Sequence, residues 1–155
     1  RWRFQPNTHL EVSAKGNLRA SWERGRSPQG EQSLLPNAMT ISIMDTLFSK
    51  GELGRLLIAH GINLTRQHLV FSGDRVAHVI GSDTESLSVP QIWIDQTTFA
   101  VLRFITIQEN ETTDIEFSEW AGPVSKGLFP HRMTTRVNRR WYQRMELTRF
   151  SGSGG

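Results

Sequence analysis

Apolar and polar positions along this chain alternate in short runs broken by turn residues, with one stretch of a different period. Residues 1 to 23 divide into "RWRF", "THLEVSA" and "NLRASWE", separated by Pro6-Asn7 and by Lys15-Gly16-Asn17. These are strands in a meander joined by turn chemistry. Residues 24 to 40, rich in Gly, Pro, Ser and Gln, show no period and read as a long loop. From Ser42 to His60 the apolar positions Met44, Leu47, Phe48, Leu53, Leu56 and Leu57 recur at spacings of three and four, which is helical. Gly51 and Gly54 each weaken that helix by about 1 kcal/mol relative to alanine, so a broken helix or two short ones is expected, with Gly61 as its stop.

The rest reads as β. "RQHLVFS" and "RVAHVIGS" flank Gly73-Asp74, a hairpin signal, and "PQIWID", "TFAVLRFITI", "TTDIEFSEWA", "GLFPHRMTTRVN" and "RWYQRMELTRF" follow at short polar turns. The pattern predicts an antiparallel meander of about ten strands with one helical interruption. The run "VPQIWIDQTTFAVLRFI" departs from simple alternation, because Phe99, Val101, Ile105 and Ile107 oppose Ala100, Leu102 and Phe104, and Ile92 and Ile94 oppose Trp93. Both faces of the sheet must be covered there. Two arrangements satisfy this: an ordinary two-sided core, or a sheet curled toward closure whose concavity holds an apolar ligand. The helical stripe is then either a movable cover or a fixed plug.

With 155 residues, the chain has the size of a single domain, residues 1–150, with the tail "SGSGG" (151–155) as a linker. Hydrophobic residues make up 37% and charged residues 21%, a globular composition with no apolar run long enough to span a membrane as a helix. The net charge is +3, and Arg132, Arg136, Arg139, Arg140, Arg144 and Arg149 gather near the C-terminus. A basic surface for nucleic acid is one use of such a cluster, but Glu116, Glu119 and Glu146 mix the signs and favour a solvated face. The absence of cysteine removes disulfides, thiolate catalysis and cysteine-bound zinc. The opening "RWRFQPNTHLEV" has no signal-peptide pattern, so the chain is expected to begin inside a longer protein.

Catalytic chemistry finds no foothold in the pattern. No histidine lies three or four residues from another, which argues against a metal site, and His68 and His78 read as a structural pair across the hairpin. There is no GxSxG elbow and no phosphate-binding glycine loop. Asp114, Glu116 and Glu119 alternate with apolar residues and suit an outer polar face better than a glycosidase pair. Neither an enzyme nor a cofactor is expected.

The segments "GINLTRQHLVFSGDRVAHVIGS", "PQIWIDQTTFAVLRFI" and "IEFSEWAGPVSKGLFPHRM" resemble the periplasmic lipoprotein-carrier (LolA/LolB-like) superfamily, in its outer-membrane lipoprotein-sorting branch. The resemblance covers residues 61 to 148 well and residues 1 to 60 in outline, with the usual N-terminal helix and first strand missing. It implies a mainly β fold, a curved, incomplete antiparallel barrel with a helical cover at about 42–60. It implies noncatalytic binding of lipoprotein acyl chains or lipids for periplasmic transport or sorting to the outer membrane, with membrane-bound donor and acceptor proteins as partners. Acyl contacts would come from Trp2, Phe4, Leu47, Phe48, Leu53, Leu57, Ile92, Ile94, Phe99, Val101, Leu102, Phe104, Ile115, Phe117, Met133, Trp141 and Met145, a set that spans both strand faces. Arg1 or Arg3 would latch the lid. A monomer is expected. The rival reading is a β-rich interaction module that binds an acidic partner or nucleic acid through its basic C-terminal strands.

Overall fold

The computed structural model describes residues 2–5, 9–14, 18–24, 53–120 and 130–151, and for those before 53, for 141–143 and for 147–151 it is the backbone that is described. The first strands are β1 (Trp2–Gln5), β2 (His9–Ala14) and β3 (Leu18–Arg24), followed by helix α1 (Leu53–Ala59). Then come β4 (Gln67–Ser72), β5 (Arg75–Ile80), β6 (Gln91–Asp95), β7 (Val101–Gln108), β8 (Glu111–Ser118), β9 (Arg132–Val137) and β10 (Arg140–Ser151). In the order β10-β9-β8-β7-β6-β5-β4 they form an open antiparallel sheet. The coarse expectation holds: the described chain is mainly β and antiparallel, with one short helix. Among the described residues the sheet does not close.

The chain divides into two compact units. One comprises Arg1–Asp45, Phe117–Thr134 and Tyr142–Gly155. In it β1 pairs with β2, β2 with β3, and β3 with the C-terminal part of β10, where the register shifts between Leu147 and Arg149. Phe117, Trp120, Met133 and Met145 are among its described buried apolar residues, with the Phe117 and Trp120 rings 6.5 Å apart.

The other unit, Thr46–Glu116 with Thr135–Trp141, holds α1 and the β4 to β8 meander. Its turns follow from local chemistry. Gly73 has φ +64° at the first loop position of the β4–β5 hairpin, which suits a two-residue loop led by glycine. Glu109 and Asn110 both have positive φ between β7 and β8, as do Asn138 and Arg139 between β9 and β10. Such primed turns match the right-handed twist of the strands they join. Asn138 adds a further tie: its N–H donates to Thr112 O at 2.8 Å and its Oδ1 accepts from Thr112 N at 3.0 Å.

Of the expected helical cover, Leu53–Ala59 is helix, and residues 42–52 lie outside the described residues. Its stop is where the pattern placed it. Gly61, at φ +73°, donates to Ile58 O at 3.0 Å, and Ile62 donates to Leu57 O at 2.9 Å. This pair of reversed bonds satisfies two carbonyls that a helix end would otherwise leave open, and the C″ residue usually packs against the C3 residue. Here those residues are Ile62 and Leu57, both buried.

Candidate functional site

The registers of β6, β7 and β8 decide what each face of "QIWID" and "VLRFITI" touches. Ile92 pairs with Phe104 and Phe104 with Ile115, so these three line one face in a row, all with zero exposure. The end of helix α1 meets that face. His60, just past its end, stands edge-on to the Phe104 ring at 5.6 Å, and its Nδ1 lies 2.9 Å from Thr106 Oγ1. Leu56 and Leu57 are the buried residues of the helix, while Leu53 is half-buried.

The opposite face is also occupied. Gln91 pairs with Ile105 and Ile105 with Asp114, and both Gln91 and Ile105 are buried. The Gln91 amide donates to Ser86 O and Val89 O at 3.0 Å each, and its Oε1 accepts the Trp93 indole N–H at 2.9 Å. Next to it the Arg103 guanidinium lies 5.0 Å over the Trp93 ring, and its Nε donates to Asp114 Oδ1 at 2.8 Å. Glu116 lies 3.6 Å from Arg103 and 3.0 Å from Arg136. At the centre of β7, therefore, both faces are packed, apolar on the helix side and a mixture of aliphatic, amide and ion pair on the other.

Among the residues named for acyl contact, Leu57, Ile92, Leu102, Phe104 and Ile115 are buried in this unit. Ile94 and Val101 are half-buried at a register shift between Trp93 and Ile94, where Leu102 is the extra residue. Phe99 departs from the set: it stands 78% exposed in the β6–β7 turn at φ +60°. Phe117, Met133 and Met145 are buried in the other unit. Trp2 and Phe4 lie in β1 and Trp141 in β10, with side chains outside the described residues, as is that of Arg3, which registers opposite Glu11. Leu47, Phe48 and Arg1 lie outside the described residues altogether.

The histidine pair expected across the hairpin is not a pair. His68 registers with Val79, and His78 with Leu69, so parity puts the two imidazoles on opposite faces. His68 Nδ1 is 2.6 Å from Ser82 O, and His78 Nε2 is 2.7 Å from Gln67 Oε1. Among the described residues no cluster of three or more His, Asp or Glu side chains could hold a metal ion. Mixing of signs is found in the C-terminal strands. Arg132 lies 3.3 Å from Glu119 and 3.4 Å from Glu146, which takes part of the basic charge away from any acidic partner.

Asp95 opens the turn between β6 and β7. Its Oδ1 accepts from the Thr97 and Thr98 N–H groups at 2.8 and 3.0 Å, and its Oδ2 accepts from Arg75 at 3.0 Å. The Thr98 N–H, then the Thr97 N–H and Arg75, hold its pKa below the usual carboxylate range against the opposing effect of burial. His60 is lowered too, by burial against the helix-side face. Both shifts have the same sign for stability: the folded state binds fewer protons than the unfolded one, so stability is complete above the unfolded pKa and falls with pH. A melting curve recorded from pH 8 downward is expected to lose stability first below about 6.5, as the His60 imidazole titrates in the unfolded chain, and again below about 4 for Asp95. His60→Phe should remove the first step and Asp95→Asn the second; a single step unaffected by either substitution would contradict the assignment.

No family model matches the chain, and no curated protein and no solved structure is found to be similar to it.

Proposed function

We propose that this protein is a noncatalytic carrier for the acyl chains of lipoproteins or lipids, working in the periplasm between membrane-bound donor and acceptor proteins. In this reading about ten strands curve into an incomplete barrel, and α1 is the cover. The observation that supports it is the row Ile92, Phe104 and Ile115, wholly apolar across adjacent strands and met at Phe104 by His60, at the end of a helix whose Leu56 and Leu57 are buried. The described polar tie at the helix end is one hydrogen bond, between His60 and Thr106. If α1 lifts, the row offers an acyl chain a surface equivalent to the one the helix leaves. Each buried methylene contributes about 0.8 kcal/mol, so about ten methylenes contribute roughly 8 kcal/mol before the cost of displacing the helix. That suffices for capture and leaves room for release to a stronger acceptor.

The test is titration of the delipidated protein with a fluorescent fatty acid. Saturable binding that hardly changes with salt is expected, whereas a basic docking surface would lose affinity steeply. Because the chain has no cysteine, His60→Cys with Thr106→Cys can be bridged by a short thiol crosslinker to pin α1 to β7. Pinning should weaken the fatty acid at least tenfold, with recovery when a cleavable linker is cut. An absence of saturable binding to the unpinned protein would sink the reading.

A further inference from the structure

Strand β4 lies at the end of the strand order, and among the described residues it pairs with β5 alone. The hairpin sets the direction of its backbone groups. Ser72 registers with Arg75 across the two-residue loop, and such a closing pair exchanges both of its hydrogen bonds. His68, Val70 and Ser72 therefore turn their N–H and C=O groups toward β5, while Gln67, Leu69 and Phe71 turn theirs away. The bond from Gly81 N to Arg66 O, 2.8 Å, has the same phase. Leu69 and Phe71, whose backbone groups point outward, are also 57% and 82% exposed.

Edges of this kind are usually blunted by a lysine, a proline or a bulge. β4, "QHLVFS", has no proline and no lysine, arginine or carboxylate, and its register with β5 is unbroken. Its charges sit just outside, Arg66 before it and Asp74 after it. These positions are symmetric about Val70. An antiparallel copy of the strand centred on Val70 would set Leu69 against Phe71 of the second copy, twice, and bring Arg66 to the hairpin tip that carries Asp74 of the second copy, twice. Sliding the copy by two residues in either direction keeps the backbone groups matched but breaks both side-chain pairings. Arg66 is available for the exchange, since its contact with Asp83 is a loose 3.8 Å between exposed side chains.

We propose that β4 is the interface of a symmetric dimer, in which two copies of this chain pair edge to edge about a two-fold axis at Val70. The inference is independent of the acyl-carrier reading and replaces the expected monomer. One strand pair buries less than a permanent dimer needs, so assembly depends on concentration. The self-complementary ends fix the register, as an isologous contact requires.

Sedimentation velocity of the full chain over a concentration series should show a monomer passing into a dimer. Arg66→Asp and Asp74→Arg, each at an exposed position, should separately weaken self-association at least tenfold, because like charges then face each other at both ends. Mixed in equal amounts, the two variants should form a heterodimer of near wild-type affinity, because each then meets the opposite sign at both ends. Val70→Cys supplies a second readout: the central pair is not hydrogen-bonded, which brings its Cα atoms to about 4.5 Å, so mild oxidation should give a covalent dimer faster than with His68→Cys. A wild-type chain that stays monomeric throughout overturns the proposal, including one that instead binds an extended apolar peptide or lipid vesicles through Phe71. Single charge variants that associate like wild type overturn it equally.

Discussion

Replacing Gly81 by alanine is expected to destabilise the protein by about 3–5 kcal/mol, a large part of the 5–15 kcal/mol that a domain typically has. Gly81 has φ +112°, outside the range that a residue with a Cβ adopts comfortably, and that strain alone costs about 1–3 kcal/mol. Space adds to it. A Cβ built there would lie 2.4 Å from Pro90 O and 3.0 Å from both Gln91 Cα and Ile62 Cγ2. The first two contacts are backbone at the start of β6, which cannot swing away as a side-chain tip can, so overpacking contributes about 1–3 kcal/mol more. Ile62 is the residue that closes the end of α1, so the same substitution pushes on the joint between helix and sheet. Urea unfolding of Gly81→Ala measures the loss. Gly54→Ala is the control: nothing lies within 4 Å of a Cβ at that position, and helix propensity predicts a gain of about 0.5–1 kcal/mol. A midpoint for Gly81→Ala within error of wild type would mean that the β5–β6 connection yields, and that the tight approach is not structural.

The element boundaries in this unit were legible because short-range chemistry sets them. Gly73-Asp74 turns the first hairpin, Glu109-Asn110 the β7–β8 turn, and Gly61 stops α1. Burial was less legible, for a physical reason: alternation tells which residues share a face and is silent on what covers it. Phe104 lies on the face that His60 meets, yet Ile105 on the other face is as deeply buried, beside an amide and an ion pair that an apolar count does not see. Parity itself fails wherever the register shifts, as it does at Leu102. Phe99 was grouped with the apolar face of β7, but the Asp95 turn takes it out of the strand and into solvent. The hairpin signal in "RQHLVFS" likewise says nothing of what covers Leu69 and Phe71, which stand exposed on an edge strand. The carboxylates were expected on an outer polar face. Glu116 does remain partly exposed, at 40%, whereas the side chain of Asp114 retains 14%, because Arg103 lies over it.

That last pair carries the other large effect. Arg103→Ala is expected to cost about 3 kcal/mol, the lower end for breaking a buried ion pair, since 16% and 14% of the two side chains still reach solvent. The loss combines the two-point contact with Asp114, the stacking on Trp93, and the desolvated carboxylate left behind. Asp114→Ala should cost less, about 2 kcal/mol. Arg103 would then keep Glu116 at 3.6 Å, which is itself held by Arg136 at 3.0 Å. Arg103→Lys should recover only part of the loss, because an ammonium keeps the charge but has neither the fork that meets both Asp114 oxygens nor the flat face that lies on Trp93. The double variant Arg103→Met with Asp114→Leu should be more stable than the sum of its single changes by about 1–3 kcal/mol, since neither charge is then left alone. Denaturant midpoints of the four proteins close this cycle, and repeating it in high salt should leave the coupling largely intact because the pair is shielded from solvent. Additive single and double losses would show that Arg103 acts through packing on Trp93 and that the ion pair contributes nothing.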